Sequence, residues 1–98
     1  MNRKNITGKL SNLPEKDLIS FRVNLHTGFC PMHIWEFRLE IMRDIIEVIE
    51  EIAERKGYTL PSPNQISRMF GGMKESDKNL PKYLGVSWNE LEKTYIKE

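Results

Sequence analysis

The sequence predicts an all-α fold, a small helical domain around one long central helix, on three observations. From Pro31 to Lys56 the apolar residues Ile34, Trp35, Leu39, Ile41, Met42, Ile45, Ile46, Val48, Ile49, Ile52 and Ala53 recur at the 3.6-residue period of a helix. Glu36, Glu40, Arg43, Asp44, Glu47, Glu50, Glu51 and Glu54 fill the other side. Both ends are punctuated, since Pro31 suits a first helical turn and Arg55-Lys56-Gly57 suits a left-handed cap. Shorter capped segments on either side supply the two neighbours that so wide an apolar stripe needs.

Residues 1–12 are polar and basic, with Ile6 and Leu10 at helical spacing and Gly8 between them, so they read as a short turn of helix or a frayed polar arm. A first full helix is expected from Pro14 to His26, with proline in its first turn and Glu15 and Asp17 near its positive end. A rival exists here. Ile19, Phe21, Val23 and Leu25 alternate with polar residues, as do Trp35, Phe37, Leu39 and Ile41, which is the period of a half-buried strand. The alternative fold is therefore α+β, with an N-terminal β-hairpin at about residues 18–42. Helix is preferred because Thr27-Gly28-Phe29 offers a left-handed cap and Pro31 then restarts a helix, the signature of an αα-hairpin.

After Gly57, Pro61 and Pro63 force an extended connector. Ser62 is the expected cap of a helix from Pro63 to Phe70, closed by Gly71-Gly72. Residues 73–79 read as a polar loop and Leu80 to Leu84 as a short helix ending at Gly85. Ser87 is the expected cap of the last helix, Trp88 to Ile96, with Glu90 at capping-box spacing and Trp88, Leu91 and Tyr95 on one face. The domain reading is an arm over 1–12 and a single helical domain over 13–98.

Ninety-eight residues allow one modest core and fall short of a typical enzyme with a buried cofactor cleft, so neither catalysis nor a cofactor is expected. The formal net charge of +1 gives no global field toward nucleic acid or membrane. No apolar run reaches membrane-spanning length, and Met-Asn-Arg-Lys-Asn is not followed by the apolar core of a signal peptide. With Cys30 the single cysteine, there is no disulfide framework, and a cytoplasmic setting without membrane contact is the expectation.

The second half joins Ile-Ala-Glu-Arg-Lys-Gly (52–57), a Pro-Ser-Pro connector, a helix closing on Phe70-Gly71, and Tyr83-Leu84-Gly85-Val86-Ser87-Trp88-Asn89-Glu90-Leu91. Over residues 43–95 this resembles the small helical repeats found beside homing endonucleases and in phage and mobile-element proteins. Val86, between Gly85 and Ser87, departs from that family's pattern. The resemblance implies a DNA-contacting module in which Gln65, Ser67 and Arg68, followed by Lys74, Lys78 and Lys82, face DNA. On their own chemistry, Arg68 and the three lysines suit phosphates, and Asn64 or Gln65 near a helix start suits a base edge. Glu75 and Asp77 lie within the same stretch and favour an ordinary solvated surface instead.

Three other constellations stand out. His26, Cys30 and His33 have the residue types of a zinc site but lack a fourth ligand and the usual two separated pairs, so no metal is expected there. Cys30 beside two histidines also has the make-up of an activated nucleophile, with no oxyanion arrangement or phosphate loop to go with it. Glu40, Glu47, Glu50, Glu51 and Glu54 on the central helix form an acidic face, the basis of an alternative function as a protein-binding inhibitor or adaptor. A surplus of large apolar residues, Phe37, both tryptophans, Met32 and Met73, points to a homodimer. The leading expectation is a small non-enzymatic DNA-binding or regulatory module of phage or mobile-element type.

Overall fold

The computed structural model describes residues 1–27, 36–62 and 76–97, with side-chain positions throughout except at residues 26, 27, 36, 38, 39 and 76–79. Among the described residues there are five helices and no strand: α1 (Arg3–Leu10), α2 (Glu15–Thr27), α3 (Glu36–Lys56), α4 (Ser76–Leu84) and α5 (Trp88–Thr94). The architecture is all-α, as expected. The rival hairpin at 18–42 is overturned, because its described residues are helical throughout.

The reason lies in which residues of α2 turn inward. Leu18, Phe21 and Leu25 are wholly buried, at helical spacing, whereas Ile19 of the alternating set is only half-buried. A helix puts Leu18 on the same face as Phe21 and Leu25, whereas a strand would turn it to the opposite side.

α3 is the spine. Ile41, Met42, Ile45, Val48, Ile49, Ile52 and Ala53 are buried, and Ile46 packs at the edge of the core. The side chain of Leu39 is outside the description, as are Ile34 and Trp35. The helix ends in a Schellman motif: Tyr58 N–H donates to Ala53 O at 2.8 Å and Gly57 N–H to Glu54 O at 3.3 Å, with Gly57 at φ 75°.

α1 and α2 each pack against both α3 and α4, and α5 packs on α3. Phe21 of α2 stacks on Tyr83 of α4 with ring centroids 4.7 Å apart. The first residues are therefore not an arm outside the domain. Ile6 and Leu10 are wholly buried in the main cluster, and Asn2 closes a capping box with Asn5 that starts the helix.

Two boundaries move. α4 begins at Ser76, inside the stretch expected as a loop, and carries Pro81 within it. The proline removes one donor from the helical ladder, and burial of Leu80, Tyr83 and Leu84 offsets that loss. α5 stops at Thr94, two residues early, with Tyr95 extended. There the chain ends meet: the Met1 ammonium donates to Thr94 O at 2.6 Å and Ile96 N–H to Met1 O at 2.8 Å. The expected helix over 63–70 lies outside the described residues.

Candidate nucleic-acid interface

On α3 the acidic face is exposed, but the chain supplies its own cations to it. Arg3 of α1 donates to Glu47 at 2.8 Å and to Glu51 at 2.6 Å, and lies 3.6 Å from Asp44. Tyr95 donates its hydroxyl to Asp44, Lys97 pairs with Glu40 at 3.1 Å, and Arg22 pairs with Glu50 at 3.1 Å. Of the acidic set singled out from the sequence, Glu54 alone pairs with no cation among the described residues.

The Arg3 guanidinium is held protonated above its ordinary range. Its hydrogen bond to Glu47 is the largest cause, partial desolvation opposes it, and Glu51 adds to the rise. Because the folded pKa is raised, this contribution is fully present below the ordinary arginine pKa and fades only as pH climbs past it. Through neutral and acidic pH, Arg3 itself does not titrate.

Arg22 is one of the polar residues that alternate with Phe21 and Val23 in the sequence, and nothing in that alternation singles it out. Its side chain is 7 % exposed, on the inward face of α2 beside Leu18 and Leu25. Nη2 pairs with Glu50, Nη1 donates to Pro61 O at 2.5 Å, and the buried Nε–H has no hydrogen-bond partner among the described residues. It ties the connector to both α2 and α3. The available signal was position: Leu18-Phe21-Arg22-Leu25 is one helical face, and a cation on it must find acceptors.

α4 carries two lysines, Lys78 and Lys82, and one carboxylate, Asp77. α4 presents Lys82, exposed, its ammonium 5.2 Å from the centroid of the Tyr83 ring. No carboxylate pairs with it among the described residues. Lys78 lies one helical turn earlier in α4, on the same side by register. Lys9 of α1, a residue missed in the sequence, donates from Nζ to Leu84 O at 3.1 Å, where the last carbonyls of α4 carry partial negative charge.

Asn64, Gln65, Ser67, Arg68 and Lys74 lie outside the described residues, as do Cys30 and His33. His26 lies in α2 with its side chain undescribed. Among the described residues no three His, Cys, Asp or Glu side chains form a group suited to a metal, and no helix is long and apolar enough to cross a membrane. Of the apolar surplus, Trp88 is buried and Phe37, 39 % exposed, leans edge-on against Tyr95, while Met32, Trp35 and Met73 are outside the description.

Comparison with family models, with curated proteins and with solved structures returns no match for this chain. The likeness of residues 43–95 to helical repeats beside homing endonucleases thus has only its own residues behind it. Of these, Gly57 and Gly85 do end helices at positive φ, Ser87 does cap α5, and Trp88 is buried. Such caps and cores are common to many helical proteins.

Proposed function

We propose that this chain is a small, non-enzymatic, cytoplasmic DNA-binding or regulatory module of phage or mobile-element type, which contacts the phosphate backbone through the basic side of α4. The observation that supports the reading is the division of charge. The carboxylates of α3 are largely taken up by Arg3, Arg22, Lys97 and Tyr95, which gives the acidic face a role inside the fold. Lys82 and Lys9 point no carboxylate-bound charge at the fold, so theirs remains available to an outside anion. A phosphate backbone is the extended polyanion that such spaced lysines fit.

Equilibrium binding to a random duplex and a random single strand across a salt series tests this. The expected result is micromolar binding at low salt that weakens steeply as salt rises, and is reduced further by charge reversal at Arg68 and Lys82. Absence of binding at low salt, or affinity indifferent to both reversals, rules the reading out.

A further inference from the structure

Gly8 sits in the middle of α1 on its exposed side. Its φ is not positive, and a Cβ built on it would meet nothing within 4 Å. Neither the backbone nor any neighbour within the described fold calls for glycine there, and alanine would make the better helix. What glycine does provide on an outer helical face is close access to the backbone. Around it on the surface stand Lys4 and Asn12 one turn away on either side, Asn5, and Lys9 next in sequence, all exposed.

The charge on α1 has one sign. α1 contains no carboxylate, and of its three cations only Arg3 is turned to the acids of α3. Lys4 pairs with no acid among the described residues. Lys9 uses one ammonium proton on Leu84 O and keeps two more donors. The two asparagines are occupied locally, Asn5 in the capping box and Asn12 donating to Gly8 O at 3.3 Å. The face therefore offers lysine charge and a shallow surface, with little to read a base edge.

We propose that the outer face of α1 is a second phosphate-contacting strip, sequence-independent, in which Lys4 and Lys9 flank the phosphate backbone of a nucleic acid and Gly8 is the point of closest approach; this rests on the reading of α4 given above. Lys9 joins the two strips, because its ammonium reaches the end of α4 two residues beyond Lys82. A protein helix would also profit from Gly8, but the absence of any acid on α1 and its two outward lysines favour a polyanion.

The test compares the wild-type chain with Gly8→Ala, Lys4→Gln, Lys82→Gln and Arg43→Gln, each in duplex binding over a salt series and in thermal unfolding. Gly8→Ala is expected to melt about 4 °C higher, as a better helix former, and yet to bind roughly fivefold more weakly. Lys4→Gln is expected to lower the salt slope by about one, while Arg43→Gln, an equal charge change on α3, leaves it alone. If Gly8→Ala and Lys4→Gln bind like wild type while Lys82→Gln does not, the α1 strip is overturned and the α4 reading stands. If the wild type binds no duplex at low salt, both fall. A Gly8→Ala protein that melts lower would show that the fold itself needs the glycine, which also overturns its assigned role.

Discussion

Arg22 shows how unequal the two halves of an ion pair are. Its side chain is 7 % exposed while that of Glu50 is 48 % exposed, so removing one partner differs from removing the other. Glu50→Gln leaves a buried guanidinium whose Nε–H has no acceptor among the described residues. Arg22→Met leaves a carboxylate that water can reach, fills most of the space with apolar chain, and gives up the bond to Pro61 O. Stranding a buried charge is the larger penalty. Glu50→Gln is expected to cost about 2 kcal/mol, less than a fully buried pair because water screens Glu50, and Arg22→Met about 1 kcal/mol or less. Urea unfolding midpoints of the two variants check the order. A reversed order would mean that the anchoring of Pro61, rather than charge burial, is what Arg22 contributes.

At the scale of the element, one chemical change has opposite signs at different glycines. Gly57 and Gly85 close α3 and α4 at φ 75° and 76°, where an L side chain crowds its own backbone, although a Cβ at either has space around it. Gly57→Ala and Gly85→Ala are each expected to lower stability by about 1–2 kcal/mol, whereas Gly8→Ala raises it by about 1 kcal/mol. Thermal unfolding of the three variants side by side reads both signs. These end caps were legible in the sequence, as was the Ser87 cap, because they depend on residues within one turn of each other. α1 was half legible: two apolar residues and a mid-helix glycine make a poor isolated helix, and what stabilises it is burial of Ile6 and Leu10 against residues far along the chain. The start of α4 was hidden by Pro81, which marks a boundary in most sequences and here lies inside a helix held by Leu80, Tyr83 and Leu84. In the candidate interface Lys82 could be named from the sequence, but Lys9 could not, since its partner Leu84 is 75 positions away.

At the scale of the whole molecule, the contacts of α1 decide what the fold is. With α2 it bridges α3 to α4, its Arg3 reaches the acids of α3, its Lys9 reaches the end of α4, and Lys56 Nζ donates back to Ser11 O at 2.6 Å. Residues of the two chain ends also bond to each other. A domain wired in this way should unfold as one unit, with α1 lost only when the rest is lost. Leu10→Ala, at a wholly buried position, is expected to cost about 3 kcal/mol and to lower the melting temperature by roughly 12 °C or more. Deleting residues 1–12 removes Ile6 and Leu10 together, a loss comparable to the entire stability of many domains of this size. The truncated chain is therefore expected to lose its cooperative thermal transition, followed by circular dichroism at the helical band. A truncated chain that melts sharply at the full-length temperature would mean that α1 is an appendage on a domain complete without it.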